Sequence, residues 1–181
     1  PVVYYLNPDF PEDLKGVAQR ISADWNRAFM AAATAATGRS ASEIEAQIAA
    51  DVAASGELAV FMDGDVEGYG PGALFQVREN NCSVKGVETY LAAHPEFADE
   101  VDTATRGEGL KIGNLERSCS ALSWFSRDAK VADPFVWQQM GDLRFSFVWW
   151  VEEPMASGPL GYGPSSADIE NGHLISGNAY V

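Results

Sequence analysis

The chain has 181 residues, 26 Asp and Glu against 12 Lys and Arg, and a net charge of −14, with 46 % hydrophobic residues. That length and apolar content suit one domain, or one large part of a domain, with a real core. The charge argues against nucleic acid, whose binding rests on neutralising phosphates, and against an anionic membrane surface, and no apolar run approaches the roughly 18 residues of a spanning helix.

In chain order, Val2–Leu6 reads as a short buried strand closed by Asn7 and Pro8. Pro11 stands where helices begin, with Glu12 and Asp13 complementing the helix dipole. Leu14, Val17, Ala18, Ile21, Trp25, Ala28 and Phe29 recur at helical spacing, opposite Lys15, Gln19, Arg20 and Asp24. This predicts a long amphipathic helix lying on a sheet by its apolar face and ending at Gly38. Ser40 and Glu43 form a capping box ahead of an alanine-rich helix. Leu58–Met62 and Leu74–Arg78 read as strands. Between those two, Asp63-Gly64-Asp65-Val66-Glu67-Gly68 resembles the start of a calcium loop. Its twelfth position is Leu74, where an EF-hand needs a bidentate Glu, so an acidic solvated turn is the better account.

Helices are predicted at Ser83–Ala93, Pro95–Thr103 and Asn114–Lys130, the last with Asn114 as N-cap and a stripe of Leu115, Cys119, Leu122 and Phe125. Leu143–Val151 alternates strictly and carries the strongest strand signal. Consecutive Trp149 and Trp150 must then face opposite sides. A loop containing Gly158, Gly161 and Gly163 follows, and Glu170-Asn171-Gly172 predicts a hairpin turn into a strand over Leu174–Val181. The layout is a strand and long helix over residues 1–38, a largely helical insert over 39–133, and a resumed sheet over 134–181. This is an α/β or α+β domain with a twisted mixed sheet. The start at Pro1 without Met, and the strand running into Val181, lead us to expect further sequence at both ends.

The chemical inventory is short. His94 and His173 are the only histidines, too few for a three-histidine zinc site. No phosphate loop and no G-x-S-x-G elbow is present. Asp168, Glu170 and His173 cluster at the hairpin turn, where Asp168 and His173 are weak candidates for an ion such as calcium. His94 is expected to meet the last carbonyls of its helix. Cys82 and Cys119 form either one bridge across the helical insert or two buried free thiols; spacing alone does not choose.

Six stretches of the chain resemble a known family. Val3-Tyr4-Tyr5-Leu6-Asn7 followed by Trp25-Asn26-Arg27-Ala28-Phe29 resembles the first strand and helix of metzincin-type zinc metallopeptidases. Pro134–Gln138, Gly141–Phe147, Gly158–Asp168 and Ile175–Val181 are similar to bacterial, especially myxobacterial, exported metallopeptidases. His173 departs from that group, which usually carries Glu there. The resemblance implies a secreted, periplasmic or cell-surface location and a cysteine pair near Cys82 and Cys119. It also implies a metzincin-like N-terminal subdomain that is inactive alone, because the H-E-x-x-H-x-x-G-x-x-H zinc helix would follow Val181. Zinc would then belong to the longer protein, with no cofactor held by this chain. The implied partners are an extended peptide or protein substrate and the missing C-terminal half of the domain. The peptide would pair along an edge strand expected at Leu174–Val181, with Ser176, Gly177, Asn178, Ala179 and Tyr180 as its rim. Two other readings stand beside it: a non-enzymatic extracellular binding or structural module, and a carbohydrate-binding module using Trp149 or Trp150.

Overall fold

The computed structural model describes residues 1–152 and 161–181, so most of the predicted glycine-rich loop lies outside the described residues. The fold is α+β. Five strands, β1 (Val2–Leu6), β2 (Phe75–Arg78), β3 (Ser146–Trp149), β4 (Ser165–Ala167) and β5 (Leu174–Tyr180), form one sheet in the order β2-β1-β3-β5-β4. All neighbours run parallel except β4, which is antiparallel to β5. Five helices accompany them: α1 (Lys15–Thr37), α2 (Ala41–Ala54), α3 (Val84–Ala93), α4 (Ala98–Thr105) and α5 (Leu115–Asp128).

Strand order explains the layering. The step from β1 to β2 goes one way across the sheet, and the step from β2 to β3 returns past β1. Right-handed crossovers in opposite directions place their helices on opposite faces. On one face Tyr4, Leu6, Phe75, Val77, Val148 and Trp150 gather with Leu14 and Ala18 of the α1 region. The other face presents Tyr5, Phe147 and Trp149 toward the insert of α3, α4 and α5. The insert has its own core of Val87, Tyr90, Phe97, Val101, Leu115, Leu122 and Phe135. A disulfide joins Cys82 to Cys119 inside that core. Both cysteines are fully buried.

The helix α1 is long, as predicted, but it does not pack by its predicted face. Its buried side chains are Ala18, Gln19, Ser22, Ala23, Asn26 and Met30. The reason is the edge strand β2, whose backbone on that side needs partners. Ser22 Oγ accepts from Val77 N at 3.0 Å. Asn26 Oδ1 accepts from Leu74 N at 2.7 Å, and Gln19 Nε2 donates to Asp63 O at 3.0 Å. A polar face thus seals the sheet edge. Val17, Ile21 and Trp25 are left 40 %, 50 % and 54 % exposed.

Other expectations hold with trimmed ends. The Ser40–Glu43 capping box is formed, and Ser83 caps α3 through Gly86 N. Asn114 precedes α5 but its side chain turns backward, accepting from Lys111 N and donating to Gly109 O. Leu58–Met62 is extended without joining the sheet; Val60 O accepts only from Glu79 N. The strand predicted from Leu143 begins at Ser146, because Asp142 ties Arg144 into a turn through both guanidinium and backbone.

Candidate functional site

The hairpin of β4 and β5 is built by local polar chemistry. Asp168 Oδ1 accepts from Glu170 N at 2.8 Å and Oδ2 accepts from Asn171 Nδ2 at 2.8 Å. Asn171 Oδ1 accepts from His173 N, and Gly172 takes φ 73° to let the chain reverse. This is an Asx-type turn at the Asn-Gly position the sequence marks. Both oxygens of Asp168 serve the turn itself. Among the described residues, no group of three or more His, Cys, Asp or Glu is placed to share an ion. Asp63, in the calcium-like stretch, pairs with Lys85, which holds its carboxyl below the usual carboxylate range.

The structure corrects the expected peptide-binding edge. The strand β5 is interior: Asn178, Ala179 and Tyr180 pair with Phe147, Val148 and Trp149 on one side. On the other side Gly177 and Ser176 pair with Ser165 and Ser166. The hairpin folds β4 back over the margin of β5, so the backbone of Ser176–Tyr180 is already engaged. The free margin on this side of the described sheet is β4, three residues with a register shift between Ser166 and Ala167. Gly177 has a separate reason to be glycine: a Cβ there would lie 2.8 Å from the Tyr4 hydroxyl.

On the sheet face that carries Tyr4, Leu14 and Ala18 of the α1 region pack with residues of β1, β2 and β3. Further across, Val148 and Ala179 lie on that face by register, followed by exposed Ile175. Along α1, Val17, Ile21 and Trp25 are exposed. Trp25, Phe29, Phe75 and Tyr4 form a chain of ring contacts with centroids 5.5 to 6.2 Å apart. The result is an apolar floor over α1 and the adjoining face of β2 and β1.

His94 sits elsewhere, at the end of α3. Its ring stacks on Tyr90 at 4.3 Å and bonds Glu96 and Asp133 at 3.3 and 3.2 Å, rather than meeting helix carbonyls. Burial opposes its charge, but the two carboxylates outweigh burial and raise its pKa.

Two cavities separate the sheet's Tyr5 face from the insert, with Gln138 lining both. One, of about 520 Å³, lies between Tyr5, Tyr90, Phe135 and Phe145. The other, of about 560 Å³, lies at the ends of β1 and β3. Sequence reasoning missed both, since neither follows from a local motif; paired Trp149 and Trp150 were the only signal near them. Comparison with protein-family models, with curated proteins and with solved structures finds no match.

Proposed function

We propose that this chain is the substrate-cleft half of a secreted, metzincin-like zinc endopeptidase, inactive until a zinc-bearing helix is added from sequence beyond Val181. The observation that carries the reading is the uncovered apolar floor. A helix face with Val17, Ile21 and Trp25 exposed, joined to Phe75 through the Trp25 ring, is a surface for another body. An added helix lying there would run beside α1 and bring its polar side toward β4. The mixed sheet with one antiparallel margin and the disulfide agree with what the resemblance implies.

The described residues do not fit zinc by themselves. His94 is held by carboxylates in the insert and His173 sits on the hairpin turn. No catalytic step is therefore derived through the metal. What this half contributes is the edge: among the described residues β4 has no outer neighbour, and an extended peptide would add there as a further strand, with affinity from main-chain hydrogen bonds.

The test is to read the coding sequence onward from Val181 and assay the longer product on a denatured protein substrate, with and without a chelator. The expected result is an H-E-x-x-H-x-x-G-x-x-H segment and chelator-sensitive cleavage that Ser165→Pro, which removes an outward-facing N–H, weakens through the substrate's KM. A stop codon at once, or a tight stoichiometric zinc site on residues 1–181 alone, would overturn the reading.

A further inference from the structure

Arg78, the last residue of β2, is a buried cation without a buried anion. It is only 3 % exposed, and an arginine that deep in a protein is ordinarily paired. Its Nε donates to Gln76 Oε1 at 2.7 Å, and its guanidinium lies 5.2 Å from the centre of the Phe61 ring. Among the described residues neither Nη atom has a hydrogen-bond acceptor, and no carboxylate stands within ion-pair distance of it. Across the β1–β2 register Arg78 faces Tyr5, so the two side chains leave the sheet on the same side.

Tyr5 carries this unmet polarity to a cavity. It is 6 % exposed and lines the space of about 520 Å³ between the sheet and the insert. Its hydroxyl has no hydrogen-bond partner among the described residues, yet it is not one of the polar atoms sealed from solvent. Burial raises its pKa although Arg78 beside it lowers it, so the phenol keeps its proton at neutral pH and is able to donate. Gln138, on the same lining, uses Oε1 to accept from Asn81 N, and its Nε2 is a further donor with no partner among the described residues. Phenol, amide nitrogen and guanidinium share one need, an acceptor.

The rest of the lining says what that acceptor must carry. Leu58, Tyr90, Phe135 and Phe145 give the cavity apolar walls, and its volume is that of a small-molecule site. The other charged side chains on it are matched or exposed. His94 bonds Asp133, Asp142 holds Arg144, and Glu57 stands in solvent. The charge of −14 on the whole chain opposes any anion at long range, but that field is screened beyond roughly 8 Å at physiological salt. The uncompensated buried charge beside Tyr5 is positive.

We infer that this cavity binds a small monocarboxylate with an apolar body. The carboxylate accepts from the Tyr5 hydroxyl, Gln138 Nε2 is a second donor, and Arg78 behind the phenol supplies the balancing charge. The body lies among Leu58, Tyr90, Phe135 and Phe145. Two strands, β3 and β5, separate β1 from β4, so the site stands whether or not the chain belongs to a peptidase.

The experiment is a calorimetric titration at neutral pH with phenylacetate, indole-3-acetate and decanoate. Each is run beside its neutral amide, and acetate serves as a carboxylate without a body. The expected result is saturable binding of at least one of the three acids, about 10-fold tighter than its amide or acetate. Tyr5→Phe keeps the ring and removes the hydroxyl. It should weaken that acid about 10-fold, the loss of one hydrogen bond to a charged group, and weaken the amide much less. Arg78→Met, apolar and of similar length, should remove the preference for acid over amide; if that variant does not fold, Tyr5→Phe decides. The inference fails if none of the three acids binds, if acid and amide bind alike, or if acetate binds as tightly. It fails equally if Tyr5→Phe or a folded Arg78→Met binds like the parent.

Discussion

Single side chains in this protein act mostly by completing backbone hydrogen bonding. Tyr69 is the clearest case: its hydroxyl donates to Val77 O at 2.9 Å and accepts from Met62 N at 3.0 Å. Burial pushes its pKa up to about 12. Tyr69→Phe strands both backbone groups and should reduce stability by about 1–3 kcal/mol, read from denaturant midpoints; an unchanged midpoint would mean water replaces the hydroxyl. His94 gives a pH signature of definite sign. Its folded-state pKa is raised, so its contribution is complete below the unfolded value near 6.5 and is lost as pH rises through the folded value. The protein should therefore lose stability as pH rises above about 6.5, and His94→Gln should flatten that slope. An equal slope in the variant would assign the effect to another group. Neither role was legible beforehand: Tyr69 bridges Met62 and Val77 across a loop that carries no motif, and His94 also needs Asp133, distant in the sequence.

Among elements, most positions were readable and one orientation was not. Caps, the Asn-Gly hairpin and the apolar periods locate α1, α2, α3, α5, β1 and β5 to within a few residues, since each signal is local. What local periodicity cannot see is a sheet edge that needs donors and acceptors. That need turns α1 so that Gln19, Ser22 and Asn26 face inward, against the apolar stripe that predicted the opposite. The same limit misplaced the free margin at β5, because which strand lies outermost depends on how the hairpin folds back. Contacts between elements are tight elsewhere. A Cβ on Gly86 of α3 would lie 2.2 Å from Asn81 O. Gly86→Ala should destabilise by about 3 kcal/mol, checked by thermal unfolding; a neutral result would show that α3 can shift. Removing the Cys82–Cys119 bridge, which closes a segment 37 residues long in sequence separation, should cost roughly 2–4 kcal/mol. That loss should appear equally in reductant and in the double Cys→Ala variant.

For the whole molecule, the decisive property is that one face is finished and the other is not. The insert side carries a dense core around the disulfide. The α1 side leaves Val17, Ile21 and Trp25 in solvent. Residues 1–181 alone should bind an environment-sensitive hydrophobic dye and self-associate. Ile21→Glu should suppress both while shifting stability by no more than about 0.5 kcal/mol, as expected for an exposed position. If Ile21→Glu instead unfolds the protein, the floor is a packed interior and the proposed docking surface is lost.

The strand β1, which lies between β2 and β3, precedes both of its neighbours in the chain. Val2 faces Phe75 and Tyr4 faces Ser146, so β1 emerges from the ribosome long before either neighbour exists. Bringing such distant segments together is slow, since loop closure precedes the reward of pairing. The insert, with its local helices and its cross-link, is able to fold first and then receive β1 between β2 and β3. Until then Val2–Leu6 is an unpaired hydrophobic strand. A chaperone or a translocation partner that grips extended apolar segments would find its handle in Val2–Leu6, residues that later lie closed between two parallel neighbours.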